Sequence, residues 1–319
     1  MRNLGWLLLM ILLGGCATKI DLQAHRGGRG LMPENTLPAF QNAMRIGVTT
    51  LELDTAITRD GVVIIAHDPL LNPDIARGPD GKWLEKKGPS LHSLNYAELM
   101  QYDIGRLNPA SAYGKRYSQQ TAVDGTRYSK LADLFAATRA AGDRHIRFNI
   151  ETKISPDEPG ETVDPETFAN TLLAVVLSEN MAGRVTLQSF DWRTLKIFQQ
   201  KAPGIPTVYL SAQQKFLDNI SAGKPEGSRW TAGLNVRDYD GSVARMVKAA
   251  GGAIWSPYFG DVDEGKIREA QQLGLQVVVW TVNEARDIER MLDWKVDGII
   301  SDYPDRVRVA LDARGMKVR

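Results

Sequence analysis

The chain has 319 residues, a formal net charge of +1 at neutral pH and hydrophobic residues at 43% of its positions. A chain of this length buries roughly three quarters of its unfolded surface, so either two medium domains or one large α/β barrel is possible. The charge is nearly balanced and no long basic run is visible, which argues against nucleic acid as a partner.

The first residues have the pattern of an export signal. Arg2 precedes an apolar run from Leu4 to Leu13, which is too short to cross a bilayer because a spanning helix needs about 20 apolar residues. The run ends in LGGC, and small residues before a cysteine resemble the lipobox of bacterial lipoproteins. This resemblance implies cleavage after residue 15, lipidation of Cys16 and, because Ala17 follows, an outer-membrane location facing the periplasm. An ordinary signal peptide with an incidental cysteine is the alternative.

Downstream of this segment, short β-branched runs alternate with amphipathic stretches. Eight strands are predicted, at Asp21–His25, Thr50–Thr58, Ile146–Thr152, Val185–Ser189, Thr207–Leu210, Ala253–Pro257, Gln276–Thr281 and Gly298–Ser301. Seven helices are predicted between them, at Pro38–Ile46, Lys130–Ala141, Pro165–Glu179, Trp192–Lys201, Ser242–Ala250, Glu264–Leu273 and Glu284–Trp294. This alternation predicts a parallel sheet covered by helices and fits an α/β (β/α)₈ TIM barrel. A doubly wound open sheet is the alternative.

Residues 69–129 interrupt the alternation. They are rich in Gly, Pro and Asn and hold too few apolar residues for a core of their own, so we predict an insertion after the second strand. Asn95 and Glu98 predict one short capped helix inside it. Residues 211–241 form a second irregular stretch. The predicted organisation is a signal peptide at residues 1–15 and a single barrel domain at residues 16–319.

The segment LELDTAITRDGVVIIAHD, residues 51–68, places polar side chains inside an apolar ribbon. Glu52 and Asp54 are two residues apart on a strand, so both carboxylates point to the same face. They repel each other unless a positive charge lies between them, which leaves a bound cation or a solvated strand face as explanations. His67 lies on the returning arm of the ribbon, after Gly61.

Polar side chains recur at the ends of the other predicted strands. They are His25 and Arg26 after the first strand, Asn149, Glu151 and Lys153 on the third, Gln188 on the fourth, Trp280 and Asn283 after the seventh, and Asp302 after the eighth. In a parallel barrel the carboxyl ends of the strands meet at one rim, where active sites lie. A solvated surface would scatter such residues over both ends, so their convergence predicts a functional site.

The residue types at this rim indicate a metal-assisted reaction of a phosphate. Glu52, Asp54 and Glu151 offer oxygen ligands, which favour Mg²⁺ or Ca²⁺ over zinc. Arg26 and Lys153 supply the positive charge that an anionic oxygen substrate requires. The sequence therefore predicts one divalent cation and a phosphate site beside it.

Two of the four histidines lie at the same rim. Histidine titrates near pH 6.5, so His25 and His67 can divide the roles of general base and general acid. His92 and His145 lie in the insertion and before the third strand, and we predict that they are structural or surface residues.

Six segments in order resemble motifs of the glycerophosphodiester phosphodiesterase family. They are AHRGGRGLMPENTLPAF, LELDTAITRDGVVIIAHD, FNIETK, LQSF, VVVWTVNE and VDGIISDYP, and they extend over residues 24–304. The resemblance implies a (β/α)₈ barrel, one essential divalent cation and an insertion where we place it.

The same resemblance implies a role for each matching residue. Metal ligands correspond to Glu52, Asp54 and Glu151, and catalytic histidines to His25 and His67. Substrate-binding positions correspond to Arg26 and Lys153 for the phosphate and to Trp280 for an aromatic wall, and we add Gln188 as a substrate contact. Arg29 departs from the pattern, because many members have a small residue there, and it either adds a phosphate contact or reaches solvent.

The predicted reaction is hydrolysis of a glycerophosphodiester, a small molecule, to glycerol 3-phosphate and an alcohol. One alternative is a lysophospholipase D or sphingomyelinase D type of enzyme on a similar barrel; the toxin-like enzymes of this type usually need disulfides, which the single cysteine cannot form. The other is a silent surface lipoprotein that binds phosphodiesters. The choice of alcohol, of Mg²⁺ or Ca²⁺, of nucleophile and of oligomeric state stays open.

Overall fold

A computed structural model describes residues 19–318 and contains a closed barrel of eight parallel strands. The barrel strands are β1 (Lys19–Ala24), β2 (Thr50–Ile57), β3 (Arg147–Thr152), β4 (Val185–Ser189), β5 (Thr207–Ser211), β6 (Ile254–Pro257), β7 (Gln276–Val279) and β8 (Gly298–Ser301). Each strand pairs with the next, and β1 pairs with both β2 and β8, which closes the barrel. The predicted (β/α)₈ barrel is confirmed, and an open sheet is excluded.

Eight helices surround the barrel, one after each strand. They are α1 (Leu37–Ile46), α2 (Leu131–Ala140), α3 (Pro165–Ser178), α4 (Trp192–Lys201), α5 (Val243–Ala249), α6 (Glu264–Gln272), α7 (Ala285–Asp293) and α8 (Pro304–Ala313). The sequence predicts the first seven and misses α8. Its segment RVRV alternates charged and apolar residues with the period of a strand, which hides the helical period.

Helix α1 begins next to the barrel rim, and its cap is determined by local hydrogen bonds. The sequence offers Asn35 or Thr36 as the cap, and the structure uses Thr36, whose side chain accepts a hydrogen bond from the backbone N–H of Ala39. Asn35 is engaged elsewhere, because its amide oxygen accepts from the backbone N–H of Asp54 at 3.3 Å and its NH₂ group donates to Asp54 Oδ2 at 2.9 Å. Helix α1 ends at Gly47, which adopts φ = 83°, a left-handed conformation that glycine reaches without strain.

Two apolar layers hold the barrel together. Outward-facing strand residues pack against the helices, as where the buried rings of Phe148 on β3 and Phe135 on α2 meet edge to face at 4.9 Å. A smaller cluster on the inner faces of β5 to β8 consists of Val208, Ile254, Val278 and Ile300. The interior of the barrel is therefore filled on one side by aliphatic groups, while polar side chains occupy the other strands.

The insertion packs on the ribbon that leaves β2. Residues Val63–Ile65 run antiparallel to β2, and Leu71, Leu91 and Leu99 of the insertion pack with Ile64 in a second apolar cluster. The predicted short helix forms at Tyr96–Leu99, with Asn95 and Glu98 in the capping box. A further short helix, Ala112–Arg116, brings tyrosines to the rim of the barrel.

The remaining elements are short. In the second irregular stretch, Gln213–Gln214 pairs with Leu217–Asp218, and at the carboxyl end Lys317–Val318 pairs with β1. Across residues 19–318, no helix has the length and apolar character needed to cross a bilayer. The predicted export signal and Cys16 lie outside the described residues.

Candidate active site

The strand register brings three carboxylates together at the carboxyl end of the barrel. Asp54 on β2 is the register partner of Glu151 on β3, and Glu151 is the partner of Gln188 on β4. Glu52, two residues before Asp54, shares its face of the strand. One oxygen from each of Glu52, Asp54 and Glu151 lies within 4.8 Å of the others, and all three residues are buried.

This triad fits a divalent cation. Oxygen ligands of Mg²⁺ or Ca²⁺ lie about 2.0–2.6 Å from the ion, so two ligands of one ion are at most about 4–5 Å apart. The triad oxygens, all within 4.8 Å of one another, meet this limit. The surrounding charges fit as well, since five largely buried carboxyl groups face three largely buried cations, and with all five ionised two negative charges remain for a bound cation to offset. These groups are Glu34, Glu52, Asp54, Glu151 and Asp302 against Arg26, Arg29 and Lys153.

Fixed hydrogen bonds orient each carboxylate of the triad. Glu52 accepts from the backbone N–H of Arg26 at 2.8 Å and from the Gln188 amide at 2.6 Å. Asp54 Oδ2 accepts from Asn35, and Glu151 Oε1 accepts from Lys153 Nζ at 2.8 Å. Within residues 19–318, Asp54 Oδ1 and Glu151 Oε2 receive no hydrogen bond, although Lys153 Nζ lies 3.9 Å from Asp54 Oδ1, so one oxygen of each can still bind an ion.

The pKa values of the three carboxyl groups shift in different directions in this buried cluster. Burial and the adjacent charge of Asp54 raise the pKa of Glu52 well above its usual range. Burial raises the pKa of Glu151 to about 7, although Lys153 opposes the change. Burial also acts to raise the pKa of Asp54, but Arg26, Lys153 and the hydrogen bond from Asn35 act together against it, and that pKa lies below the usual range. A cation at the triad would favour the charged form of all three.

Arg26 and Lys153 place positive charge beside the triad. Arg26 Nη1 pairs with Glu34 at 2.7 Å, and its Nε lies 3.3 Å from Asp54 Oδ2. Lys153 Nζ lies 2.8 Å from Glu151 and 3.9 Å from Asp54. Both side chains border the cavity described below, so an anionic group entering it meets them next to the acidic triad.

His25 is held by a buried carboxylate from the last strand. Its Nδ1 lies 2.6 Å from Oδ1 of Asp302, which also accepts from Arg29 Nε at 2.7 Å. Oδ2 of Asp302 accepts from Tyr117 Oη at 3.0 Å and from Asn283 at 2.8 Å. Burial acts against ionisation of Asp302, yet Arg29 and His25 lower its pKa below the usual range. The ionised carboxylate therefore accepts a hydrogen bond from Nδ1–H, which keeps the proton of the neutral ring on Nδ1 and leaves His25 Nε2 as the acceptor.

His67 has a similar but less enclosed arrangement. Its Nδ1 lies 2.9 Å from Oδ1 of Asp68, the next residue, and Asp68 Oδ2 accepts from Asn72 at 2.7 Å. The Asp68 side chain is 31% exposed, compared with 1% for Asp302, so solvent screens the second pair more. In both histidines, Nε2 is the ring nitrogen without a hydrogen-bond partner in the described part of the chain.

Both histidines are neutral near pH 7. Burial, with the positive charge of Arg29, lowers the pKa of His25 to about 4. Burial, with the positive charges of Arg26 and Lys153, lowers the pKa of His67 well below its usual value. A neutral imidazole can accept a proton at once, and a bound phosphate anion would raise both pKa values toward the range of a proton donor.

Arg29 ties the insertion to His25. Its Nη1 lies 3.2 Å from Tyr113 Oη, and its guanidinium carbon lies 5.2 Å from the ring centre of Tyr117. Tyr113 also donates to Glu34. Arg29 therefore does not simply reach solvent: it lies between two tyrosines of the insertion and pairs with Asp302.

One cavity of about 400 Å³ joins these groups. His25, Arg26, Glu52, His67, Glu151, Lys153 and Gln188 line its inner end. Trp280 lines its wall, where its ring meets Phe190 edge to face at 5.2 Å. The cavity thus combines a polar inner end with an aromatic wall.

The structure gathers at this rim all nine barrel residues to which the sequence assigns a role, although the roles themselves stay predictions; they are His25, Arg26, Glu52, Asp54, His67, Glu151, Lys153, Gln188 and Trp280. Gln188 was expected to contact substrate; both polar atoms of its side chain are engaged, by Glu52 and by Asn149. Cys16, the predicted lipidation site, cannot be placed.

Several supporting residues were not identified from the sequence. Asn35 and Glu34 are adjacent in the first motif, and Asp68 directly follows His67, so their proximity to named residues is the one signal available. Nothing in the sequence links Tyr113 or Tyr117 to the site, because the fold of the insertion alone brings them there.

Comparison with known proteins gives a consistent result. Residues 25–306 match the sequence profile described as the glycerophosphoryl diester phosphodiesterase family. A glycerophosphodiester phosphodiesterase of Bacillus subtilis (strain 168) is 26% identical over 284 residues, which cover 88% of this chain and 83% of the relative.

Solved structures agree at the level of the fold. A candidate glycerophosphoryl diester phosphodiesterase of Silicibacter pomeroyi DSS-3 is 34% identical with a TM-score of 0.82, covering 95% of this chain and 96% of that one. A phosphodiesterase of Oleispira antarctica in complex with the product sn-glycerol-3-phosphate is 20% identical with a TM-score of 0.65, covering 93% and 97%.

Proposed function

Because the chain belongs to the glycerophosphoryl diester phosphodiesterase family, we propose that it hydrolyses glycerophosphodiesters to glycerol 3-phosphate and an alcohol with the help of one divalent cation. The observation that carries this proposal is a single cavity lined by two histidines, each held by an aspartate, and by Glu52 and Glu151 of the buried acidic triad. An acidic triad alone would serve any cation site, whereas proton-transfer groups beside it support a hydrolase.

Glu52, Asp54 and Glu151 would hold the cation. When bound, such an ion neutralises charge on a non-bridging phosphate oxygen and makes the phosphorus more open to attack. Arg26 and Lys153 orient the diester and offset its negative charge in a region with little access to water. A binding measurement with Mg²⁺ and with Ca²⁺ determines which of the two ions the site prefers.

His25 and His67 would move the two protons of the reaction. A new oxygen–phosphorus bond forms as the bond to the departing alcohol breaks. One histidine takes the proton of the attacking hydroxyl at Nε2, and the other gives a proton to the departing alkoxide. The attacking hydroxyl is either water or the glycerol 2-hydroxyl, in which case a cyclic phosphate forms first and then reacts with water.

Turnover of defined substrates tests the proposal. Glycerophosphocholine, glycerophosphoethanolamine and a lysophospholipid are incubated with the protein in Mg²⁺, in Ca²⁺ and in excess chelator, and the products are followed by ³¹P NMR, which also detects a cyclic phosphate. We expect glycerol 3-phosphate with either ion and none in chelator. Full activity in chelator would remove the metal from the reaction, and no turnover of any diester would favour a binding protein.

The location of the protein is a separate proposal. The apolar run and LGGC at residues 13–16 support export and lipid attachment at Cys16, with the barrel held at the periplasmic side of the outer membrane. A position in the cell envelope is consistent with a substrate derived from membrane lipids.

A further inference from the structure

The two ends of the cavity differ in burial and in chemistry. At the inner end the triad and Gln188 are buried, whereas at the outer end Phe216 is 65% exposed and Trp230 is half-buried. A diester with its phosphate beside the triad must therefore extend one of its two alcohols toward the outer end. Glycerol hydroxyls suit the polar inner end, so the second alcohol faces the outer half.

Aromatic rings form a continuous wall along this outer half. Trp280 contacts Phe190 at 5.2 Å and Tyr258 at 5.5 Å, and Tyr258 contacts Phe216 at 5.3 Å between ring centres. Phe190, Phe216 and Trp280 line the cavity. Such ring faces carry negative electrostatic potential and attract ammonium groups, most strongly quaternary ones.

The charges along the cavity are also divided. Its three basic lining residues are Arg26, Arg29 and Lys153, all of which contact the polar inner end. The outer half has instead Glu158, which is exposed, and Glu161, which is half-exposed. Across residues 19–318, neither carboxylate forms an ion pair or a side-chain hydrogen bond, so both charges are available to a ligand.

The neighbouring acid differs in this respect. Asp157 accepts from Trp230 Nε1 at 2.9 Å and lies 3.2 Å from Arg229 Nη1. These contacts fix the indole of Trp230 at the mouth of the cavity, next to the loop that bears Glu158 and Glu161. One paired acid therefore holds Trp230 in place, while the two unpaired acids add negative potential.

We propose that the outer half of the cavity is a subsite for a positively charged alcohol, and that the enzyme prefers zwitterionic glycerophosphodiesters with an ammonium or quaternary ammonium group over neutral ones. This inference rests on the phosphodiester hydrolysis proposed above. A cavity with positive charge at the inner end and negative charge at the outer end matches a substrate with phosphate and ammonium in that order. The acyl chain of a lysophospholipid would also contact the rings, but it would displace water from the unpaired carboxylates of Glu158 and Glu161, and that desolvation is unfavourable.

A pair of substrates that differ in head-group charge tests the subsite. The ratio of kcat/KM for glycerophosphocholine to kcat/KM for glycerophosphoglycerol is measured for wild type and for Glu158→Gln/Glu161→Gln. We expect the ratio to exceed one in wild type and to fall about 3- to 10-fold in the double variant, the size of two partly exposed ion contacts. It should also fall as salt is raised, because exposed charges are screened.

A matched control has the same charge change outside the cavity. Glu85 and Glu226 are exposed and do not line it, so Glu85→Gln/Glu226→Gln should keep the wild-type ratio. Trp230→Leu should also lower the ratio, because it removes an aromatic ring from the mouth of the cavity.

Three outcomes would overturn the subsite. They are a wild-type ratio near one, an equal loss for both substrates in the acidic variant, and faster turnover of a lysophospholipid that the acidic variant leaves unchanged. Failure of hydrolysis itself is distinguishable, because no diester would then react. In that case wild-type protein is titrated with both compounds by calorimetry, and equal affinities would still reject the subsite.

Discussion

Asp302→Asn removes the one charge that connects His25 to the last strand of the barrel. The carboxylate accepts from His25 and Arg29 through Oδ1 and from Tyr117 and Asn283 through Oδ2. An asparagine has one accepting oxygen, so its NH₂ group must face either His25 and Arg29 or Asn283. In the first orientation it donates to His25 Nδ1 and forces the proton onto Nε2, which then cannot accept the proton of the nucleophile.

These contacts give the expected magnitude of the change in kcat and in the free energy of unfolding. Loss of correct protonation at a general base or acid lowers kcat by about 10²–10⁴-fold. The hydrogen bonds to His25 and Arg29 involve charge, and each contributes about 1.5–3 kcal/mol. Because part of this is retained by the amide, we expect the free energy of unfolding to fall by about 1–3 kcal/mol, which leaves the barrel folded.

The assay separates orientation from folding. Steady-state kcat on a glycerophosphodiester is measured together with thermal unfolding, and ¹⁵N NMR of the His25 ring reports which nitrogen carries the proton. Asp305→Asn is the matched control, because it makes the same substitution three residues later, where Oδ1 of Asp305 has no hydrogen-bond partner among the described residues. The control should keep kcat and the tautomer of His25.

A clear result would refute the reasoning. If Asp302→Asn kept kcat within about threefold of wild type while the ring proton remained on Nδ1, the carboxylate would not position His25. If kcat fell but the tautomer and pH profile were unchanged, the loss would reflect general damage to the site.

Four further predictions follow from the same geometry. Glu52→Gln removes a proposed metal ligand, so it should weaken cation binding by at least the roughly 10- to 100-fold that follows the loss of a residue hydrogen-bonded to a ligand. Unchanged affinity by calorimetry would place the ion elsewhere. His25→Ala and His67→Ala should each lower kcat by about 10²–10⁴-fold while cation affinity is kept, and the variant lacking the general acid should lose less on a nitrophenyl diester. Burial and Arg29 lower the pKa of His25 to about 4, so between pH 4 and pH 6.5 the unfolded chain binds more protons than the folded one, and the free energy of unfolding falls as the pH falls through that window. Arg29→Met should raise this pKa, so denaturant titrations should show a smaller loss of stability over the same window. The acid limb of the kcat/KM profile should move to higher pH. Cys16→Ser should release the protein from the membrane fraction, because two or more acyl chains anchor firmly, and equal partitioning of both forms would reject lipidation.

The sequence by itself determined the barrel and the inner half of the site. Strand and helix periods differ, so β1 to β8 could be located to within about two residues from local patterns. The rule that parallel strands end at one rim then places Glu52, Asp54 and Glu151 together without any knowledge of tertiary contacts. Helix α8 was missed because its charged and apolar residues alternate as in a strand.

Only the tertiary structure decided which groups support the named residues. The contact between His25 and Asp302 joins positions 277 residues apart, and Tyr117 reaches Asp302 from an insertion that has no regular period. The outer subsite likewise depends on loops after β3 and β5, which bring Glu158 and Trp230 to one cavity. Local sequence determines the conformation of short segments. Contacts between residues far apart in the sequence depend on how the complete barrel and its loops pack, and no local pattern encodes that packing.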